Sequence, residues 1–405
     1  MRIVISFTAL FLSISLLQLS SGAIGPLDVL SGVQLGFSNA QIGLLGSSHF
    51  IGFFVGCWLS PRLMGTVGHS RAFAAFAAIG AIGAMSHPMI QHPAAWAALR
   101  VMTGLCVAGC YTVVEAWMQA KLTNSNRGKV MASYRTVDIV ASSAAQLMIG
   151  ALTPASYMAY NILAILCCAC LLPLMLTKTS EPITPTTPRL RPIQTALVSP
   201  LGAAGVIVAG VSSAAFRMVG PIYGQGIGLT TAQIGTFLAT VLVGGALAQL
   251  PVGLLADRFD RRWVLIGLSV LAIAACAALV AAGTDSYAQI YLFALFFGAS
   301  MFPIFSVSTA HANDFTAAKD MVEVNASLLF LYGIGAIFSP LVAALLIEWF
   351  GPSSLFVFIS LAHVFLVGFG LWRMSTRPTS THRTRYAYVP RTSFYISKLL
   401  RRRKG

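Results

Sequence analysis

Runs of about twenty apolar residues recur along the chain, and no other feature of the sequence limits its fold as strongly. A helix rises about 1.5 Å per residue and the hydrocarbon core of a bilayer is about 30 Å thick, so roughly 20 mainly apolar residues can cross it. Twelve such spans are predicted: 4–25, 40–60, 72–90, 94–119, 130–152, 156–176, 201–223, 231–255, 263–283, 286–310, 323–347 and 353–373. Gly25-Pro26, Pro303 and Pro340 fall inside spans, which disfavours soluble helices but is tolerated in membrane bundles. No ten-residue alternation recurs, so an outer-membrane barrel is not expected. Composition agrees: 57% of residues are apolar and 9% charged, against about a quarter charged in soluble chains. The fold class expected is an all-α membrane protein of twelve transmembrane helices, and soluble single-domain enzymes are excluded.

The formal charge of +15 would suggest nucleic acid in a soluble protein. Its location argues otherwise. Lys and Arg stand at Arg2, at Arg62 and Arg71, at Lys121, Arg127 and Lys129, and at Lys178, Arg189 and Arg191. They return at Arg258, Arg261 and Arg262, at Lys319, at Arg373, and nine times in residues 374–405. The alternate loops are expected to hold only acids, such as Asp28, Asp285 and Glu348. That is the positive-inside pattern, with both termini cytoplasmic and the basic tail beside anionic inner-leaflet lipid. Met1-Arg2 followed by Ser21-Gly22-Ala23 could pass for a cleaved signal peptide, but eleven further spans favour an uncleaved first helix.

A fixed offset divides the chain. Residues 35–43 (Leu-Gly-Phe-Ser-Asn-Ala-Gln-Ile-Gly) match residues 227–235 (Ile-Gly-Leu-Thr-Thr-Ala-Gln-Ile-Gly) at a separation of 192, and each follows a Gly-Pro pair, Gly25-Pro26 or Gly220-Pro221. Duplication of a six-span half is the expectation: a bundle at 1–176, a proline-rich cytoplasmic linker at 177–200, a second bundle at 201–373 and a basic tail at 374–405. Parallel repeats of this kind place a ligand site between them near the membrane midplane.

The loop between spans eight and nine reads Gly253-Leu-Leu-Ala-Asp257-Arg258-Phe-Asp-Arg261-Arg262. Here the chain resembles the major facilitator superfamily, whose loop signature is G-x-x-x-D-R-x-x-R-R. The resemblance implies that this loop helps set the inward–outward equilibrium, with Asp257 and the arginines bonding to neighbouring helix ends. At the offset the first half has Pro61-Arg62-Leu-Met-Gly65-Thr-Val-Gly68, with glycine where aspartate is expected, so Glu115 is the candidate acid for a first-half gate; the alternative is a solvated interfacial carboxylate. Arg100 and Gly104 are similar to the family's R-x-x-x-G pattern of span four, which implies a structural or proton-coupling role. The antiporter signature G-P-x-x-G-G of span five is absent from Gln146-Leu-Met-Ile-Gly150-Ala-Leu-Thr-Pro154.

Charges inside spans need partners or a wet cavity. Arg100 is expected to have one or the other. Asp138 either carries protons or pairs with Arg135, one turn away. Arg217 either snorkels to the membrane surface or, since spans one, four, seven and ten line the cavity in the family, faces substrate. Uncharged cavity candidates are Gln18, Tyr111, Trp117, Gln146, Tyr223, Gln249, Phe302, Phe305 and Tyr332, the aromatics having packing as their alternative. This mixture suits a largely neutral, flat, hydrogen-bonding ligand.

The seven cysteines are expected inside spans as buried thiols, and Cys167-x-x-Cys170 has no second ligand pair to make a metal site. No G-x-x-x-x-G-K-[ST] and no His/Glu/Cys cluster occurs, so neither ATP-driven pumping nor enzymatic activity is expected, and no cofactor. Segments such as Gly104–Trp117 and Gly244–Gly253 look like a branch of small bacterial inner-membrane carriers that includes riboflavin carriers. The resemblance implies a monomeric secondary transporter, with riboflavin uptake as the specific expectation and drug or metabolite efflux as the alternative.

Overall fold

The computed structural model describes residues 2–122, 127–176, 190–282, 286–317, 320–376 and 384, and their regular structure is entirely helical. The first half holds α1 (Arg2–Gln34), α2 (Asn39–Val67), α3 (His69–Ser86), α4 (Pro93–Lys121), α5 (Arg127–Met148), α6 (Tyr157–Ala169) and α7 (Leu171–Met175). The second follows a short α8 (Pro192–Val198) with α9 (Pro200–Gly226), α10 (Thr231–Arg258), α11 (Arg261–Ala281), α12 (Tyr287–Asn313), α13 (Met321–Phe350) and α14 (Ser354–Thr376). Lys178, Arg189, Asp285, Lys319, linker residues 177–189 and the tail residues 377–383 and 385–405 lie outside the described residues, as do the side chains of Arg2 and Arg127.

Eleven stretches among the described residues are long and apolar enough to cross a membrane. The expected span at 130–152 is the one that falls short. Its helix, α5, places Arg127, Lys129, Arg135 and Asp138 in its first twelve residues. Two other expectations change. The first helix runs past Gly25-Pro26 to Gln34, because an interior proline removes one backbone hydrogen bond that neighbouring helices make tolerable. Asp28, expected in a loop, is therefore inside α1, and Glu348 is inside α13. The linker is not wholly irregular, since Pro192 at the first turn starts α8, and Arg191 N–H donates to Ser327 Oγ at 2.9 Å, tying it to α13.

The offset of 192 is repeated in three dimensions. Ser38 and Gln41 form a capping box at the start of α2, and Thr230 and Gln233 form the same box at the start of α10. Gly36 and Gly228, each two residues ahead of its cap, have φ of 78° and 82°, a region closed to most side chains. Glycines also set how closely helices cross. A Cβ on Gly52 would collide with Val101 O and one on Gly104 with His49 O; in the second half Gly244 meets Leu295 O and Gly298 meets Val241 O. The α2–α4 crossing thus recurs as the α10–α12 crossing.

Within the first half α2 and α3 pack on α4, and α1 on α5 and α6; within the second α9 packs on α12, α13 and α14, and α12 on α10 and α11. Between halves, α2 meets α13, α5 meets α10 and α1 meets α9. Gly43 faces Ala344, Gly46 faces Met218 and Pro340, Gly150 faces Ala232, and Ala40 N–H donates to the Glu348 carboxylate at 3.1 Å. These contacts lie at the helix ends opposite to Arg62, Lys121 and Arg258. Phe54 against Phe330, rings 5.5 Å apart, extends them to mid-length. Trp58, Leu250 and Phe338 point outward, as expected where lipid is the solvent.

Candidate functional site

A cavity of about 210 Å³ lies between the halves. It is lined by α1, α2, α4 and α5 from one side and by α9, α10, α12 and α13 from the other. Of the sequence candidates, Gln18, Tyr111, Asp138, Gln146, Arg217, Gln249, Phe302 and Tyr332 line it. Three do not. Trp117 is buried beside His69, Phe305 packs edge-on against Tyr332 at 5.3 Å, and Tyr223 belongs to the aromatic core of the second half with Phe237 and Phe356. Tyr223 Oη donates to Leu279 O at 3.1 Å, so its polar end is used inside that core. Residues that sequence reasoning did not single out complete the wall: Ser21, His49, Phe50, Phe53, Ser142, Ser213 and Phe216 among them. His49 carried a legible signal, an imidazole inside an apolar span; the others did not.

Asp138 sits at the polar centre of the first-half wall. Tyr111 Oη lies 2.7 Å from Asp138 Oδ1 and also contacts Gln18 Oε1, while Arg135 reaches Asp138 Oδ2 at 3.6 Å. Asp138 thus makes the pair with Arg135 that was one of its two readings, and it also lines the cavity. A hydroxyl carries one hydrogen. With that hydrogen on one neighbour of Tyr111, the second contact needs a hydrogen from a protonated Asp138 or from a turned Gln18 amide.

On the second-half wall, Arg217 stands nine residues before the end of α9 (226 minus 217) and is exposed to the cavity. Among the described residues it makes no ion pair. Tyr332 Oη and Ser213 Oγ are 2.7 Å apart, and Ser213 donates to Ala209 O. Gln146 Nε2 donates to Gly22 O at 3.0 Å, which leaves its buried Oε1 without a partner, and the buried Nδ1 of His49 likewise has none among the described residues.

Arg100 does not line the cavity. Its partner is Asp28, Nη1 to Oδ2 3.4 Å, with both side chains 1% exposed. His87 Nε2 is also 3.4 Å from Asp28 Oδ2, Tyr160 Oη donates to Oδ1 at 2.8 Å, and the His87 and Tyr160 rings stack at 5.3 Å. Arg100 Nη2 touches Met218 Sδ at 3.7 Å, so this buried cluster reaches from the first half to α9.

At the basic end, Arg261 is the hub of the loop motif. It is 2% exposed and binds Asp314 at 2.6 Å, Asp257 at 3.3 Å and the carbonyls of Ala310 and Ala256, joining α10, α11 and α12. Thr384 of the tail donates its N–H and hydroxyl to the same Asp314 oxygen at 2.8 and 2.9 Å. Arg262 pairs locally with Asp260, Gly253 is buried in α10, and Arg258 is exposed near Phe259. Glu115 is buried rather than solvated, and accepts from Tyr134 Oη at 3.0 Å inside the first half.

The comparisons with known proteins follow the same division. The model of the Major Facilitator Superfamily matches twice, over residues 10–204 and 202–404. An uncharacterized MFS-type transporter of Enterobacter sp. (strain 638) is 28% identical over 375 residues, covering 91% of this chain and 95% of that protein. The uncharacterized MFS-type transporter YcaD of Escherichia coli O7:K1 is 28% identical over 359 residues, covering 87% and 92%. A solved structure of a mutant of the nucleoside transporter NupG superposes with a TM-score of 0.80 at 14% identity, over 91% of this chain and 100% of that one, a likeness of fold. From its helical architecture, its doubled half and a family match over nearly its whole length, the chain belongs to the Major Facilitator Superfamily.

Proposed function

We propose that the protein is a proton-coupled secondary active transporter that moves a small organic solute across a bacterial inner membrane by alternating access. In this reading α1–α7, with α6 and α7 as one span, and α9–α14 are two six-span bundles, α5 is the twelfth span, and both termini are cytoplasmic. The observation that carries it is the central cavity, lined from both halves and closed at one end by α2 on α13 and α5 on α10. A charged α5 fits a span whose polar face lines that cavity, and the basic loops support an open end on the cytoplasmic side. Asp138 is the proposed proton site, with Tyr111 and Arg135 as its partners. Riboflavin uptake, the specific expectation, is supported by the aromatic lining. A cavity of about 210 Å³, below the roughly 300–1,000 Å³ of pockets for drug-sized ligands, supports a smaller solute.

A cross-link tests the reading without knowledge of the solute. An ideal Cβ on Gly150 lies 3.0 Å from Ala232 Cβ, so a parting of about half an ångström brings Gly150→Cys and Ala232→Cys, in a background without the native cysteines, into disulfide range and bridges the turn after α5 to α10. After bridging, a cysteine placed at Gln249 should react with an impermeant maleimide from the basic face only. Labelling from both faces after bridging contradicts alternating access.

A further inference from the structure

We propose that the solute is a single-ring organic monoanion of the carboxylate class, its charge seated on Arg217 and a hydrogen-bond donor on its ring facing Gln146. The inference rests on the transporter reading and replaces the largely neutral ligand expected from the sequence with an anionic one. Among the described residues, three charged side chains line the cavity: Arg135, Asp138 and Arg217. Arg135 and Asp138 neutralise each other at 3.6 Å. Arg217 has no such partner among the described residues, and nine residues of helix, about 13 Å, separate it from the end of α9, beyond the reach of its own side chain. The net charge of the wall is therefore one positive unit, inside a membrane, where an unpaired guanidinium is costly and a bound anion relieves that cost.

A carboxylate matches the guanidinium fork with two parallel hydrogen bonds. Its complement on the ring follows from Gln146. Because Nε2 is committed to Gly22 O, the amide orientation is fixed and the free buried atom is an acceptor, which selects a donor such as a hydroxyl. His49, 5% exposed on the same wall, has an imidazole nitrogen without a partner and offers a second polar contact. The same cavity is lined by Phe50, Phe53, Phe216 and Phe302, which offer faces to one aromatic ring in the available volume.

The test is thermal unfolding of the purified full-length protein with a panel of single-ring carboxylates, 4-hydroxybenzoate among them, each beside its neutral amide. Carboxylates should raise the unfolding midpoint saturably and the amides should not. Arg217→Gln should weaken apparent affinity about tenfold or more, as loss of charge-assisted hydrogen bonds implies, and Arg217→Lys by less. Gln146→Ala should weaken 4-hydroxybenzoate but not benzoate. The unliganded midpoint of Arg217→Gln should not fall, since no ion pair is lost. Equal stabilisation by amides, unchanged affinity in Arg217→Gln, or no response of the wild type to any carboxylate would overturn the charge class. The Gly150–Ala232 cross-link decides the transporter reading separately.

Discussion

Asp28 Oδ2 and Arg100 Nη1 stand 3.4 Å apart between α1 and α4, each side chain 1% exposed. A guanidinium so placed depends on its carboxylate. Asp28→Asn leaves the charge of Arg100 facing Met218 and His87, and is expected to cost about 3–5 kcal/mol, as breaking a buried pair does. Thermal unfolding in detergent should show a large fall in midpoint for the single variant and substantial recovery when Asp28→Asn is combined with Arg100→Gln. A single variant as stable as the wild type would remove the structural role assigned to the pair.

The contact of Tyr111 Oη with Asp138 Oδ1, 2.7 Å, carries a different expectation. Tyr111→Phe should lower stability by about 1–3 kcal/mol, the cost of an unmet partner. Asp138→Asn should abolish proton movement coupled to the solute, measured with a pH-sensitive dye inside proteoliposomes. Protonating Asp138 also removes the counter-charge of Arg135, so proton and anion should reinforce each other's binding. Uptake of a carboxylate probe into proteoliposomes is then expected to rise with an imposed inward proton gradient in the wild type and to be insensitive to it in Asp138→Asn.

Gly104 and Gly298 occupy equivalent crossings, each where an added Cβ would meet a carbonyl, of His49 or of Val241. Gly104→Val and Gly298→Val should each destabilise by about 1–3 kcal/mol or more through overpacking. Gly267, whose Cβ would meet nothing within 4 Å, is the control, and Gly267→Ala should leave the unfolding midpoint within error.

Arg261 holds Asp257 and Asp314 together while only 2% exposed. Arg261→Gln leaves both carboxylates without their shared cation, and a loss of about 3–5 kcal/mol is expected. Arg258→Gln, at an exposed position of the same motif, should change stability by less than about 1 kcal/mol. Chemical denaturation of the two variants side by side separates these outcomes.

How much of this was legible in the sequence differs by feature. Eleven of the twelve expected spans were, because length and apolarity alone decide what crosses a bilayer; the one expected at 130–152 was not, because its charges fall in the helix itself. The end of α1 was not: Gly25-Pro26 reads as a stop in water and is tolerated in a bundle, so Asp28 was assigned to a loop. Its pairing with Arg100, 72 residues away (100 minus 28), depends on packing of α1 against α4 that no local pattern encodes. The split between Gln18, Tyr111 and Arg217 in the cavity and Trp117, Tyr223 and Phe305 outside it follows helix rotation. When a helix is apolar on every side, its periodicity gives little information about which face turns inward. The duplication was legible because capping residues and glycines have local geometric duties that sequence preserves.

The most direct test of alternating access is a pair of distance distributions between spin labels, at Gln34 and Gln225 on one end and at Thr66 and Leu255 on the basic end. All four positions are exposed, and each pair spans the two halves. Adding a binding carboxylate should lengthen one distance as it shortens the other. Two distributions that stay fixed, or that move in the same direction, would contradict the account.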